Sequence, residues 1–192
     1  MKTEKNLFQS VLFLSLITAG LLLIPLIAMQ FTEEVVWTLG DFVFAGILIF
    51  GTGLTYKLVT RKSEKLAYKI AFAMACATGF LLVWANGAVG IIGAESNPIN
   101  LWFYGVLAIG LIGAFLSRFQ PKGMTLTLFV TAVGQALVAA IAIGGGYYQA
   151  PTSPVVEILG INGFFILLWI SSAMMFRHVA EGNGEPDLKA AA

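Results

Sequence analysis

Six apolar runs, at 7–29, 39–59, 66–92, 98–119, 124–147 and 154–179, constrain this chain more than any other feature it has. A bilayer core about 30 Å thick is crossed by about 20 apolar residues in a helix, and each run is near that length. Apolar residues are continuous through each run, whereas the strands of a membrane barrel alternate apolar and polar positions. The fold class that follows is all-α: a polytopic membrane helical bundle of six transmembrane helices over 1–180, with a short polar tail at 181–192 read as disordered and cytoplasmic. The connections are short, so consecutive helices should be antiparallel neighbours. The first run follows Lys2 and Lys5 but is longer than a signal-peptide core, and no small-x-small site precedes Gln30. It reads as an uncleaved span, with Pro25 expected to kink its far end.

Composition supports the same class and removes several chemistries. Of 192 residues, 58% are hydrophobic and 11% charged, whereas a soluble domain carries roughly a quarter charged residues to keep its surface wet. A net charge of +1 gives no electrostatic basis for a nucleic-acid partner. A single cysteine, Cys76, excludes an intrachain disulfide and a CxxC motif. A single histidine, His178, excludes a histidine-cluster zinc site or a bis-histidine haem. Met174, Met175 and His178 at the end of the sixth run read as an interfacial patch beside Arg177 rather than a metal site. No phosphate loop, HExxH or GxSxG occurs, and no nucleophile pairs with a base, so neither a cofactor nor an enzymatic role is expected.

Charge sidedness sets an expected orientation. With the N-terminus inside, Lys2, Lys5, Lys57, Arg61, Lys62, Lys65, Lys69, Arg118, Lys122, Arg177 and Lys189 all fall on one side. Glu33, Glu34, Asp41, Glu95 and Glu157 fall on the other, with no Lys or Arg among them. The positive-inside rule then puts both termini in the cytoplasm. Trp37, Trp102, Tyr147 and Tyr148 mark the outer boundary, and Tyr56, Tyr68 and Phe119 the inner one, as an aromatic belt would.

Small residues at helical spacing let membrane helices approach closely. The third helix carries Ala71, Ala75 and Gly79, and the fifth carries Ala132, Ala136, Ala140 and Gly144. These stripes predict direct contact between helices three and five, against the alternative that Ala and Gly are simply common in membrane helices. A faint repeat matches Asp41, Phe44, Gly46, Leu48 and Gly51 with Asn100, Phe103, Gly105, Leu107 and Gly110. It reads either as a duplicated hairpin or as coincidence among abundant residue types.

Polar groups within the runs are candidate ligand-binding residues because lipid makes them costly. Asp41 sits three residues after Thr38, the spacing of a capping box, with Trp37 and Phe42 placed as a staple. Asn97-Pro98 and Ser153-Pro154 read as N-caps followed by proline at the first helical position. Glu157 falls in the first turn of its helix, where the dipole favours an anion. Asn86 and Asn162 should lie about 10–12 Å inside the outer helix ends at 1.5 Å per residue, and Gln135 near the midplane. Asp41, Asn86, Glu95, Gln135, Glu157 and Asn162 thus outline an outward polar pocket among helices two, three, five and six. The competing reading of the amides is interhelical hydrogen-bond glue. No acidic residue falls mid-membrane, which argues against a proton relay, and Lys57 and Lys69 lie too near the helix ends for a retinal Schiff base.

The stretch from Trp84 to Asn100, with Asn86, Gly93, Glu95 and Asn97-Pro98, resembles a family of small uncharacterised bacterial multi-pass inner-membrane proteins with no known activity. The Leu159-Gly-Ile-Asn162-Gly-Phe-Phe165 segment and Asp41-Phe42 are similar to the same family. The resemblance implies a bacterial inner-membrane location and supplies no site residues. Two functional readings follow. One is transport or binding of a small ligand through the outward pocket. The other is a non-catalytic accessory subunit, whose lipid-facing surface docks a membrane-protein partner or a second copy.

Overall fold

A computed structural model describes residues 2–149 and 153–182, with side chains from Phe8 onward. The described residues form helices α1 (Lys2–Ala28), α2 (Leu39–Thr60), α3 (Leu66–Ala88), α4 (Trp102–Leu116), α5 (Pro121–Gly144) and α6 (Val155–Glu181), with no strand among them. Short 3₁₀ turns at Pro98–Leu101 and Tyr147–Gln149 complete the order. Six of these segments are long and apolar enough to cross a membrane. Large apolar side chains such as Phe13, Ile24, Leu111, Leu116 and Val156 are exposed on them, a surface suited to lipid contact rather than water. The tail expected over 181–192 lies outside the described residues from 183 on, and Glu181 itself ends α6.

Two compact units are present, one up to Lys62 and one from Ser63. The first is an α1–α2 hairpin. Gly46 and Gly53 of α2 lie seven residues apart, hence on one face, and receive Leu22 and Leu14 of α1. A methyl on Gly53 would fall 2.5 Å from a Leu14 methyl, so glycine is what allows the leucine to seat there. Thr18, between the two leucines, is buried and donates its hydroxyl to Leu14 O at 2.9 Å. The start of α2 is capped as the spacing predicts. Asp41 Oδ2 accepts from Thr38 N at 2.7 Å and from the Thr38 hydroxyl at 2.8 Å, while Trp37 packs edge-on against Phe42 at 5.2 Å.

In the second unit α6 packs against both α3 and α5, and α5 also packs against α4. This corrects the expectation that α3 and α5 form the central pair, since α6 takes that place. Gly79 of α3 faces Leu107 of α4 and Trp169 of α6, and Ser172 of α6 donates to Ala71 O at 2.8 Å. On α5 the buried face runs through Leu128, Thr131, Ala132, Gln135, Val138, Ala139 and Ala142, while Ala136, Ala140 and Gly144 are exposed. The physical reason is Gln135: a buried amide needs a polar partner, and the rotation that supplies one turns Ala136, Ala140 and Gly144 of the small-residue stripe outward while Ala132 stays buried. Gly110 and Gly113 of α4 admit Thr131 and Thr127 of α5, a second close helix pair.

Helix ends also depart from expectation. The third run was expected to stay helical to 92, but α3 stops at Ala88, because Gly90 (φ 79°) and Gly93 (φ 65°) adopt the left-handed conformation. Asn97 does act as a cap, its Oδ1 accepting from Ile99 N at 3.3 Å, but on the 3₁₀ turn rather than on α4. Ser153 does not cap α6; Pro154 holds that position and no side chain bonds there. The α4–α5 turn places Arg118 (φ 50°) and Phe119 (φ 59°) in the left-handed region. Phe119 is held there by edge-on contact with Phe72 at 6.0 Å and by the Tyr68 hydroxyl, which donates to Phe119 O at 2.8 Å.

Candidate functional site

Helix pairing in the second unit brings the three candidate amides, Asn86, Gln135 and Asn162, to similar heights. Tyr68, Ala71 and Gly79 of α3 lie opposite Phe176, Ser172 and Trp169 of α6, so the two helices run antiparallel. Asn86 follows Gly79 by seven residues and Asn162 precedes Trp169 by seven, which puts them at similar heights. Gln135 of α5 is level with Asn162 because the two are bonded: Gln135 Nε2 donates to Asn162 Oδ1 at 2.9 Å. Asn162 Nδ2 in turn donates to Ile158 O, one turn back on its own helix, at 2.8 Å. Gln135 and Asn162 are 0% and 1% exposed. At that burial an unpaired amide is costly, so the pair ties α5 to α6 with directional force that apolar packing lacks.

Asn86 is buried as well but belongs to a different arrangement. It sits in the last turn of α3 rather than deep within a longer helix, and its Nδ2 donates to Asn100 O at 3.0 Å. Asn100, a member of the faint repeat and of the Trp84–Asn100 stretch but not among the candidate binding residues, proves to be the organising residue of the 89–97 loop. Its Oδ1 accepts from Ile91 N at 3.2 Å and Ile92 N at 3.0 Å. Its Nδ2 donates to Ile92 O at 3.2 Å and Ala94 O at 2.9 Å. The side chain replaces the pairing those backbone groups lost when α3 ended, so Ile91 and Ile92 can be buried at the end of the unit. The signal that could have revealed it is the Gly90-Ile-Ile-Gly93 spacing: two glycines in an apolar run with a nearby amide.

Asp41 lies in the first unit and is engaged by Thr38. Glu95 in the 89–97 loop and Glu157 in the first turn of α6 are both exposed. The repeat between α2 and α4 is not matched in packing, since Gly46 meets Leu22 whereas its counterpart Gly105 faces open space. Three buried polar atoms have no hydrogen-bond partner among the described residues: Asn86 Oδ1, Gln135 Oε1 and Trp169 Nε1. All three lie in the second unit.

A groove of about 550 Å³ runs between α5 and α6 beside the amide pair. Ala136, Ala140 and Gly144 line one wall, and Leu159, Gly163 and Ile166 the other, with Asn162 the sole polar side chain among its lining residues. Three of the four residues of the small-residue stripe expected to touch α3 thus form a wall of this groove. The volume lies in the range of small-molecule sites, which are mostly apolar with few polar groups to fix orientation. Among the described residues no group of three His, Cys, Asp or Glu side chains is placed to hold a metal ion.

Six apolar helices, an exposed apolar surface and buried interhelical amides fit the class of polytopic α-helical integral membrane proteins. Comparison of the chain with protein-family models, curated proteins and solved structures finds no match.

Proposed function

We propose that this is a membrane protein that binds a small, largely apolar ligand in the α5–α6 groove. The observation that carries the reading is the placement of Asn162 as the sole polar lining residue of an otherwise apolar groove of about 550 Å³. Such a site suits a molecule with an extended apolar body and one hydrogen-bonding group, which is the chemistry of a lipid or an isoprenoid. Gln135 acts through Asn162, holding its amide at the groove. Of the six sequence candidates only Asn162 lines the groove, so the polar contact with the ligand rests on it. A transport role would require the same groove to open to each side in turn.

The proposal includes the orientation with both termini cytoplasmic and a bacterial inner-membrane location. The charge sidedness supports the orientation, and the family resemblance supports the location. Cysteine labelling next to Gly93 should report the periplasm, and cytoplasmic labelling there would overturn the orientation.

A second reading is favoured by one observation. Ala136, Ala140 and Gly144 are exposed at a four-residue spacing, the surface a partner helix or a second copy would pack against. Gly163→Leu separates the two readings because a side chain at Gly163 meets nothing within 4 Å and would extend into the groove. Native mass spectrometry of the chain purified in mild detergent should show a bound small molecule that this variant lacks while keeping its helical content. A stoichiometric protein lost instead would favour the accessory-subunit reading, and identical spectra for both proteins would refute the groove as a binding site.

A further inference from the structure

The second unit has one strongly basic end, separate from the groove. Lys65 and Lys69 lie at the start of α3, Arg118 and Lys122 flank the α4–α5 turn, and Arg177 lies in the last turns of α6. At this end a cleft of about 320 Å³ opens between the first turns of α5 and the last turns of α6, lined by Lys122, Thr125, Arg177, Ala180 and Glu181. Two cations from different helices and one carboxylate leave the cleft with a net charge of +1. Arg177 Nε donates to Glu181 Oε1 at 2.7 Å. That bond uses the Nε–H, so the terminal guanidinium nitrogens remain as donors.

The local helix chemistry adds to the positive potential. The first turn of α5 contains no acidic residue, and its N-cap Gln120 makes no side-chain cap bond. Lys122 therefore sits at the positive end of a helix dipole with no nearby compensating carboxylate on its own helix, an arrangement an anion would relieve. Both helices are long and apolar enough to span a membrane, which puts a cleft at their ends at headgroup depth.

The geometry points to this cleft as a binding site for a phosphate-bearing anion, held by Lys122 and Arg177. A lipid phosphodiester headgroup and a soluble phosphate share that chemistry, and Glu181 tunes the site by competing for Arg177. This site does not depend on the α5–α6 groove being occupied.

The test uses the full chain in neutral detergent, titrated with phosphatidylglycerol, phosphatidylcholine or inorganic phosphate and followed by native mass spectrometry and thermal shift. Phosphatidylglycerol should bind at one-to-one stoichiometry and raise Tm where phosphatidylcholine does not. Lys122→Gln with Arg177→Gln should weaken that binding at least tenfold, and Glu181→Gln should strengthen it severalfold. Lys122→Arg should retain it. These side chains are exposed, and circular dichroism checks that each variant is folded. Inorganic phosphate competing with the lipid at similar affinity would support the site and identify a soluble anion as its ligand. Equal loss from the control pair Lys65→Gln with Arg118→Gln would mean only diffuse attraction to a basic surface and would overturn the proposal. Unchanged binding in the Lys122/Arg177 pair would overturn it as well.

Discussion

Replacing Asn162 by leucine keeps the branched shape of the side chain and removes its hydrogen bonds. The bond from Gln135 Nε2 at 2.9 Å is lost, and the Gln135 amide, 0% exposed and with Oε1 already unpaired, is left with no partner. A lost hydrogen bond costs about 1 kcal/mol, and a buried polar group stranded without a partner about 1–3 kcal/mol. Interhelical bonds in bilayers fall toward the lower end of such ranges. Asn162→Leu should therefore destabilise by about 2 kcal/mol. The bond from Asn162 Nδ2 to Ile158 O adds little, because that carbonyl also lies within the helical ladder. Gln135→Met should cost less, about 1 kcal/mol, since it strands one oxygen of Asn162 but removes the unpaired Oε1. The double variant should cost about 0.5 kcal/mol, less than either single change, because no unpaired amide then remains at the contact. The double-mutant cycle would show a coupling of about 2.5 kcal/mol. Reversible unfolding in bicelles by steric trapping or detergent titration measures all four proteins. Additive single effects would refute the claim that these amides stabilise the α5–α6 contact as a pair.

Asn100→Ala removes the side-chain partners of Ile91, Ile92 and Ala94 backbone groups and should destabilise by about 3 kcal/mol; faster hydrogen exchange confined first to 89–97 would show it, and unchanged protection there would count against it. Gly113→Ala places a methyl 2.5 Å from Thr127 Cγ2 and 3.1 Å from its Cβ, so it should cost about 1–3 kcal/mol. Gly105→Ala, which meets nothing within 4 Å, should be neutral or slightly stabilising; equal thermal shifts for the two would contradict the α4–α5 packing. Arg118→Gly relieves a left-handed residue at φ 50° and should stabilise by about 1 kcal/mol, measured as a higher unfolding midpoint.

Features that depend on nearby residues were legible in the sequence. Run length alone specifies six apolar helices, because a bilayer imposes both their length and their internal hydrogen bonding. The Thr38–Asp41 box and the Trp37–Phe42 contact follow from spacing within one turn, and both are present. Gln135 and Asn162 stood out because an amide in an apolar run has few alternatives to a partner on another helix. What the tertiary structure decided was which helix that partner came from. The alanine stripe of α5 suggested α3, but Ala and Gly permit close approach without naming a neighbour, whereas the Gln135–Asn162 bond selects α6 and turns Ala136, Ala140 and Gly144 outward. Run length likewise could not locate the end of α3, since Ile91 and Ile92 are as apolar as a helix requires. That boundary is set by Gly90 and Gly93 together with Asn100, at a sequence distance no helical period connects. The basic end was visible as charge sidedness, but the cleft between Lys122 and Arg177 exists only because α5 and α6 pack side by side.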